Sequence, residues 1–149
     1  MKQLLSDVKI TRVMLNGAGT ASATPTKADV ILDMAGYQNV MFIAVMADVV
    51  NASVVSLRYA QDDTNDTAAM GVVTGSAGGT ASATSYDDKL VILDVTKPTK
   101  RYIEAQLFHV TQDAPFDAVI AIQYGARTAP VTQGSTVAAS AALVSAAEA

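Results

Sequence analysis

The chain has no cysteine, no tryptophan and one histidine, and only 16% of its residues are charged. Without cysteine there can be no disulfide, no thiolate nucleophile and no zinc–sulfur site. The lone His109 falls in the apolar phase of its segment, near that segment's end, as a half-buried, hydrogen-bonded histidine does. A general base needs a nucleophile or carboxylate converging on it, and the sequence offers none. Ten Lys and Arg stand against 14 Asp and Glu, a net charge of −4 with no concentrated basic footprint. Direct binding to DNA or RNA phosphates is therefore not expected. No run approaches the ~18 apolar residues of a membrane span, and Met1–Ser6 lacks the apolar core of a signal peptide. The expectation is a chain made in the cytoplasm, with no membrane partner. Aromatic residues are 5% of the total, so the core has to be built from small and β-branched side chains.

What is present is a β pattern in 149 residues, enough for one domain. Between Lys89 and Tyr124, three short runs rich in Val, Ile and aromatic residues are stopped by Pro, Asp, Thr or Gly, which predicts an antiparallel meander. In the middle run Ile103, Ala105 and Leu107 oppose Glu104 and Gln106, predicting one buried and one wet face. Val8–Leu15, Val30–Met34 and Ser53–Gln61 also read as strands, and Ala69–Thr74 as a weaker one. Val40–Asp48 is nearly continuous apolar sequence, predicting a strand covered on both faces, although periodicity alone also admits a buried helix. The small-residue stretches 16–28 and 75–88 read as loops.

Gly19-Thr-Ala-Ser-Ala-Thr24 recurs letter for letter at Gly79–Thr84, and each copy precedes a Val-Ile-Leu-Asp, at 30–33 and 91–94. Either the chain holds two similar four-strand units or composition has produced a coincidence. Eight strands in two such halves fit a jelly roll, with the long loops crossing between sheets. The expected class is thus all-β: an eight-stranded jelly-roll β-sandwich over residues 8–125, an N-terminal segment 1–7, and a mostly irregular C-terminal arm 126–149. The arm is nearly uncharged and poor in large apolar residues, so it either stays mobile or is ordered by a partner.

Catalytic and ligand motifs are missing. Asp62, Asp63 and Asp66, with Thr64 and Asn65, offer oxygens without the EF-hand glycine and terminal glutamate, so a solvated loop is expected. Gly17-Ala-Gly19 and Gly75–Gly79 are not phosphate cradles, and no serine sits in a nucleophile elbow. Asp33 and Asp94 each close a strand as turn caps. No catalytic residue, metal or cofactor is assigned. The basic group Lys97, Lys100 and Arg101 is either a charged sheet rim or a contact for an acidic protein partner. Further candidate contacts are Arg127, Pro130 and Val131, and the sparse arm anchors Val137, Leu143 and Val144.

Several blocks of the chain resemble small virion proteins of tailed bacteriophages. They are Lys2–Val13, Asp33-Met-Ala-Gly-Tyr37, Lys97-Pro-Thr-Lys-Arg-Tyr102, Ala121–Arg127 and Pro130-Val-Thr-Gln133. The group most similar is the capsid cement (decoration) proteins. That resemblance implies a jelly-roll body that forms a homotrimer on the outer surface of the virion and stabilises neighbouring major capsid subunits, with no enzymatic activity. Other classes open from the sequence are a carbohydrate-binding jelly-roll module and a head–tail or tail-associated structural protein. A sugar site would have to draw its stacking surfaces from Tyr37, Tyr59, Tyr86, Tyr102 and Tyr124.

Overall fold

In the computed structural model, which describes residues 3–143, the apolar alternation becomes ten strands and a single helical turn, α1 (Leu4–Asp7). One antiparallel sheet holds β1 (Lys9–Met14), β10 (Phe116–Tyr124), β4 (Asn39–Met46) and β8 (Leu90–Thr96), in that spatial order. The other is built on β9 (Tyr102–Val110) and β5 (Val54–Asp62). β2 (Ser22–Lys27) and β3 (Leu32–Asp33) pair with the outer side of β9, while β6 (Gly71–Val72) and β7 (Ala77–Thr80) pair with the outer side of β5. The sheets face each other as a sandwich. Its core is Phe42, Ala44, Val91 and Val119 from the first sheet against Val55, Leu57, Ile103 and Leu107 from the second.

β4 shows why these residues make strands: buried and half-buried positions alternate along all eight, with Val40, Phe42, Ala44 and Met46 inward. β-branched and aromatic side chains at period two suit a pleated surface better than a helix. The run is a strand, and only one of its faces lies in the core. Val55 and Leu57 of β5 point inward, while Ser56 and Arg58 point outward, as expected.

Four expectations are corrected. β8, β9 and β10 do not form a meander, because consecutive runs belong to opposite sheets and none pairs with the next. Pro, Asp and Gly mark where a strand stops; they do not say which strand lies beside it. The segments read as loops contain β2 and β7, edge strands of small residues given their conformation by β9 and β5. Gly78 has φ +138°, and a Cβ there would overlap the Val55 carbonyl oxygen, so only glycine lets β7 lie this close to β5. The hexamer echo is not a structural repeat. Gly19, φ +54°, is pressed against the Ala114 carbonyl, whereas Gly79 has no positive φ and faces the Tyr86 hydroxyl. The first Val-Ile-Leu-Asp reaches the second sheet through β3, and the other lies in β8 of the first sheet.

The fourth correction concerns β9, whose expected wet face is buried at its centre. Glu104 is 0% exposed and Gln106 is 2% exposed. The segment after β5 folds back over them, where Thr67 donates its hydroxyl to Glu104 Oε1 and the Gln106 amide donates to Oε2 at 3.2 Å. Arg58 lies beside this patch with its guanidinium 3.4 Å from the centroid of the Phe108 ring.

Candidate partner-binding site

One end of the sandwich gathers four loops: the turn after β3, the β5–β6 loop, the β8–β9 connection and the exit from β10. Lys97 has φ 49°, and its N–H reaches Gln38 O at 3.0 Å and Asn39 Oδ1 at 3.2 Å, so the β8–β9 turn is tied to the β3–β4 turn. The Arg127 N–H donates to Gly36 O at 2.9 Å and brings the chain beyond β10 to the same place. Met34–Gln38, Pro98–Arg101 and Arg127 line an open cleft of about 390 Å³. Arg127, distant in sequence from Lys97, Lys100 and Arg101, therefore shares one end of the molecule with them.

Their charges are not equivalent. Arg101 holds Asp33 in a two-pronged contact, Nε to Oδ1 at 2.9 Å and Nη2 to Oδ2 at 2.8 Å. That hydrogen bond holds the Asp33 carboxyl below the usual carboxylate range and raises Arg101 in turn. Lys100 is paired with Asp63, and the same contact raises its pKa. Both pairs are exposed and lie in high dielectric, so they orient side chains more than they stabilise the fold. Lys97 and Arg127 make no ion pair among the described residues. These two exposed cations are the ones available to an acidic surface.

The remaining candidates lie elsewhere. The Val131 N–H donates to Ser6 O at 2.8 Å. Pro130 and Val131 line a second cleft, of about 440 Å³, with Gln3, Leu5 and Ser6. Gln133 accepts from Ile10 N–H at 2.9 Å and donates to Val8 O at 2.7 Å, and Thr136 Oγ1 accepts from Arg12 N–H at 3.3 Å. The first part of the arm thus runs along the open edge of β1 and satisfies its outward N–H groups. Val137 is half-buried in the turn that follows, Leu143 is 85% exposed, and Val144 lies outside the described residues.

The acidic loop turns its carboxylates onto its own chain. Asp62 Oδ1 accepts from the Thr64 hydroxyl at 2.6 Å and the Thr64 N–H at 2.9 Å, which lowers its pKa. Asp66 Oδ1 accepts from Ala68 N–H at 2.9 Å. His109 is 3% exposed, with Nε2 3.2 Å from Thr26 Oγ1 and no partner at Nδ1. Burial pushes its pKa down, against the opposing pull of Asp113. Tyr37, Tyr59 and Tyr86 pack partly on the core, Tyr102 lies beneath Arg101, and the Tyr124 hydroxyl donates to Asp94 at 2.7 Å.

Two surfaces escaped sequence reasoning. The Glu104–Gln106 patch was hidden because alternation implies solvent unless a remote loop intervenes. The outward face of the first sheet is apolar, and its signal was the unbroken hydrophobic run of β4. No protein-family model and no curated protein matches this chain.

Proposed function

We propose that this protein is a non-enzymatic structural component of a tailed-phage virion, a cement protein that binds the outside of the capsid and stabilises neighbouring major capsid subunits. The observation that carries this reading is where the resembling blocks lie. Asp33–Tyr37, Lys97–Tyr102 and Ala121–Arg127 are distant in sequence, yet each sends residues to the basic cleft at one end, the last through Arg127 alone. The other two, Lys2–Val13 and Pro130–Gln133, are hydrogen-bonded to each other along β1.

The fold belonging to this reading is a jelly roll. β2 and β3 lie in succession along β9, and β6 and β7 in succession along β5, so each pair counts as one interrupted strand. Numbered that way, the two sheets run 1-8-3-6 and 2-7-4-5, which is the order two interlocked Greek keys produce. The chain assembles as a homo-oligomer, a trimer by the resemblance, and presents Lys97 and Arg127 to an acidic patch on the shell.

Binding to purified capsids tests this. The double variant Lys97→Glu, Arg127→Glu should keep its β spectrum and bind shells at least about tenfold more weakly, with a shallower salt dependence. Equal binding by the double variant would remove the cleft from the interface. A copy number matching a single ring per particle, instead of shell coverage, would replace the cement role with a head–tail one.

A further inference from the structure

The apolar run of β4 is the composition of a strand buried on both faces, yet the chain buries only one of them. Met41, Ile43 and Val45 point away from the core, and register shows what lies beside them. Arg12, Ile120, Ile43 and Ile92 form one row across β1, β10, β4 and β8. Ile10, Ile122, Met41 and Asp94 form the next, and Ala118, Val45 and Leu90 continue the patch on the far side of the first row. Leu90 and Ile92 are 56% and 49% exposed, and the other aliphatic residues are half-buried. With strands ~4.8 Å and rows ~6.8 Å apart, its apolar residues cover about 300 Å², at the lower end of the range of a monomer's largest patch, often a functional one.

Its two charges lie on opposite flanks, Arg12 on β1 and Asp94 on β8, one row apart. Neither makes an ion pair among the described residues. A face with an apolar centre, a cation on one flank and an anion on the other complements a second copy of itself. Turning a copy about an axis along the strands lays each Arg12 over the flank that carries Asp94. Three faces ~19 Å wide around a common axis would also fit, each sheet lying ~5–6 Å from the axis, about half the ~10 Å spacing of packed sheets. The apolar residues supply roughly a third of the ~800 Å² per partner that a stable interface needs, and the flanking charges with the polar rim at Tyr124, Asn39 and Thr96 extend it.

We infer that the outer face of the first sheet is where copies of this chain meet, with Arg12 of one copy against Asp94 of the next. This rests on the homo-oligomeric part of the function proposed above and supplies its surface. Light scattering on the purified full chain should give a multiple of its 15.4 kDa mass. Ile92→Lys should give a monomer with an unchanged far-ultraviolet β spectrum. Arg12→Asp and Asp94→Arg should each weaken association about tenfold or more, and the double reversal should restore it. Both charged side chains are exposed, so this swap decides the question even if Ile92→Lys misfolds. A wild-type monomer at the highest soluble concentration overturns the inference, as does an oligomer indifferent to all three variants. Assembly that responds as expected while shells go unbound leaves this inference standing and removes only the capsid role.

Discussion

Protonation of His109 is the residue-level event with the clearest consequence. Burial depresses its pKa below the ordinary 6.5, so as pH falls the unfolded chain takes up the proton first. The stability from a neutral His109 is complete above about pH 6.5 and is lost as pH drops through the depressed folded value. Denaturation midpoints at about pH 7.5 and 5 should therefore fall further for the native chain than for His109→Gln. Equal slopes would mean that the imidazole is not held neutral. A second residue-level test concerns Glu104, buried with no ion pair among the described residues and held by Thr67. Thr67→Val removes a hydrogen bond to a buried carboxyl oxygen and should cost about 1–3 kcal/mol in a urea titration.

At the scale of elements, the strands differ in what their sequence reveals. β5 and β9 were legible because apolar residues recur at period two, and β4 and β10 because short runs rich in Val and Ile are bounded by turn residues. β2 and β7 carry Ser, Ala, Thr and Gly, with no hydrophobic phase to read, and owe their conformation to their neighbours. The bond-forming geometry of Gly78 makes that dependence testable. Gly78→Ala should cost about 1–3 kcal/mol through backbone strain. Gly79→Ala meets only the Tyr86 hydroxyl, 3.1 Å away, and should cost less. The same principle governs the candidate site. Lys97, Lys100 and Arg101 were visible as a group, but the approach of Arg127 to them is set by its backbone bond to Gly36, which no local pattern announces. The arm's seat on β1 was equally hidden, because Gln133 acts through a polar side chain. Gln133→Ala strips the partners from Ile10 N–H and Val8 O and should lower stability by about 1–2 kcal/mol.

For the whole molecule, the interleaved strand order matters more than any single contact. Phe42, fully buried between the sheets, touches a core drawn from both halves of the chain, and Phe42→Ala should cost about 3–5 kcal/mol in the same titration. Among the described residues β1 hydrogen-bonds to no strand except β10, more than 100 residues later. Pairings this distant place folding in the millisecond-to-second range. At synthesis rates of about 5–20 residues per second, β1 leaves the ribosome roughly 5 to 20 s before its only partner strand exists. Throughout that interval β1 can reach only its nearby contacts, such as the Asp29 N–H on Val13 O, and its ladder to β10 has to wait for the end of the chain.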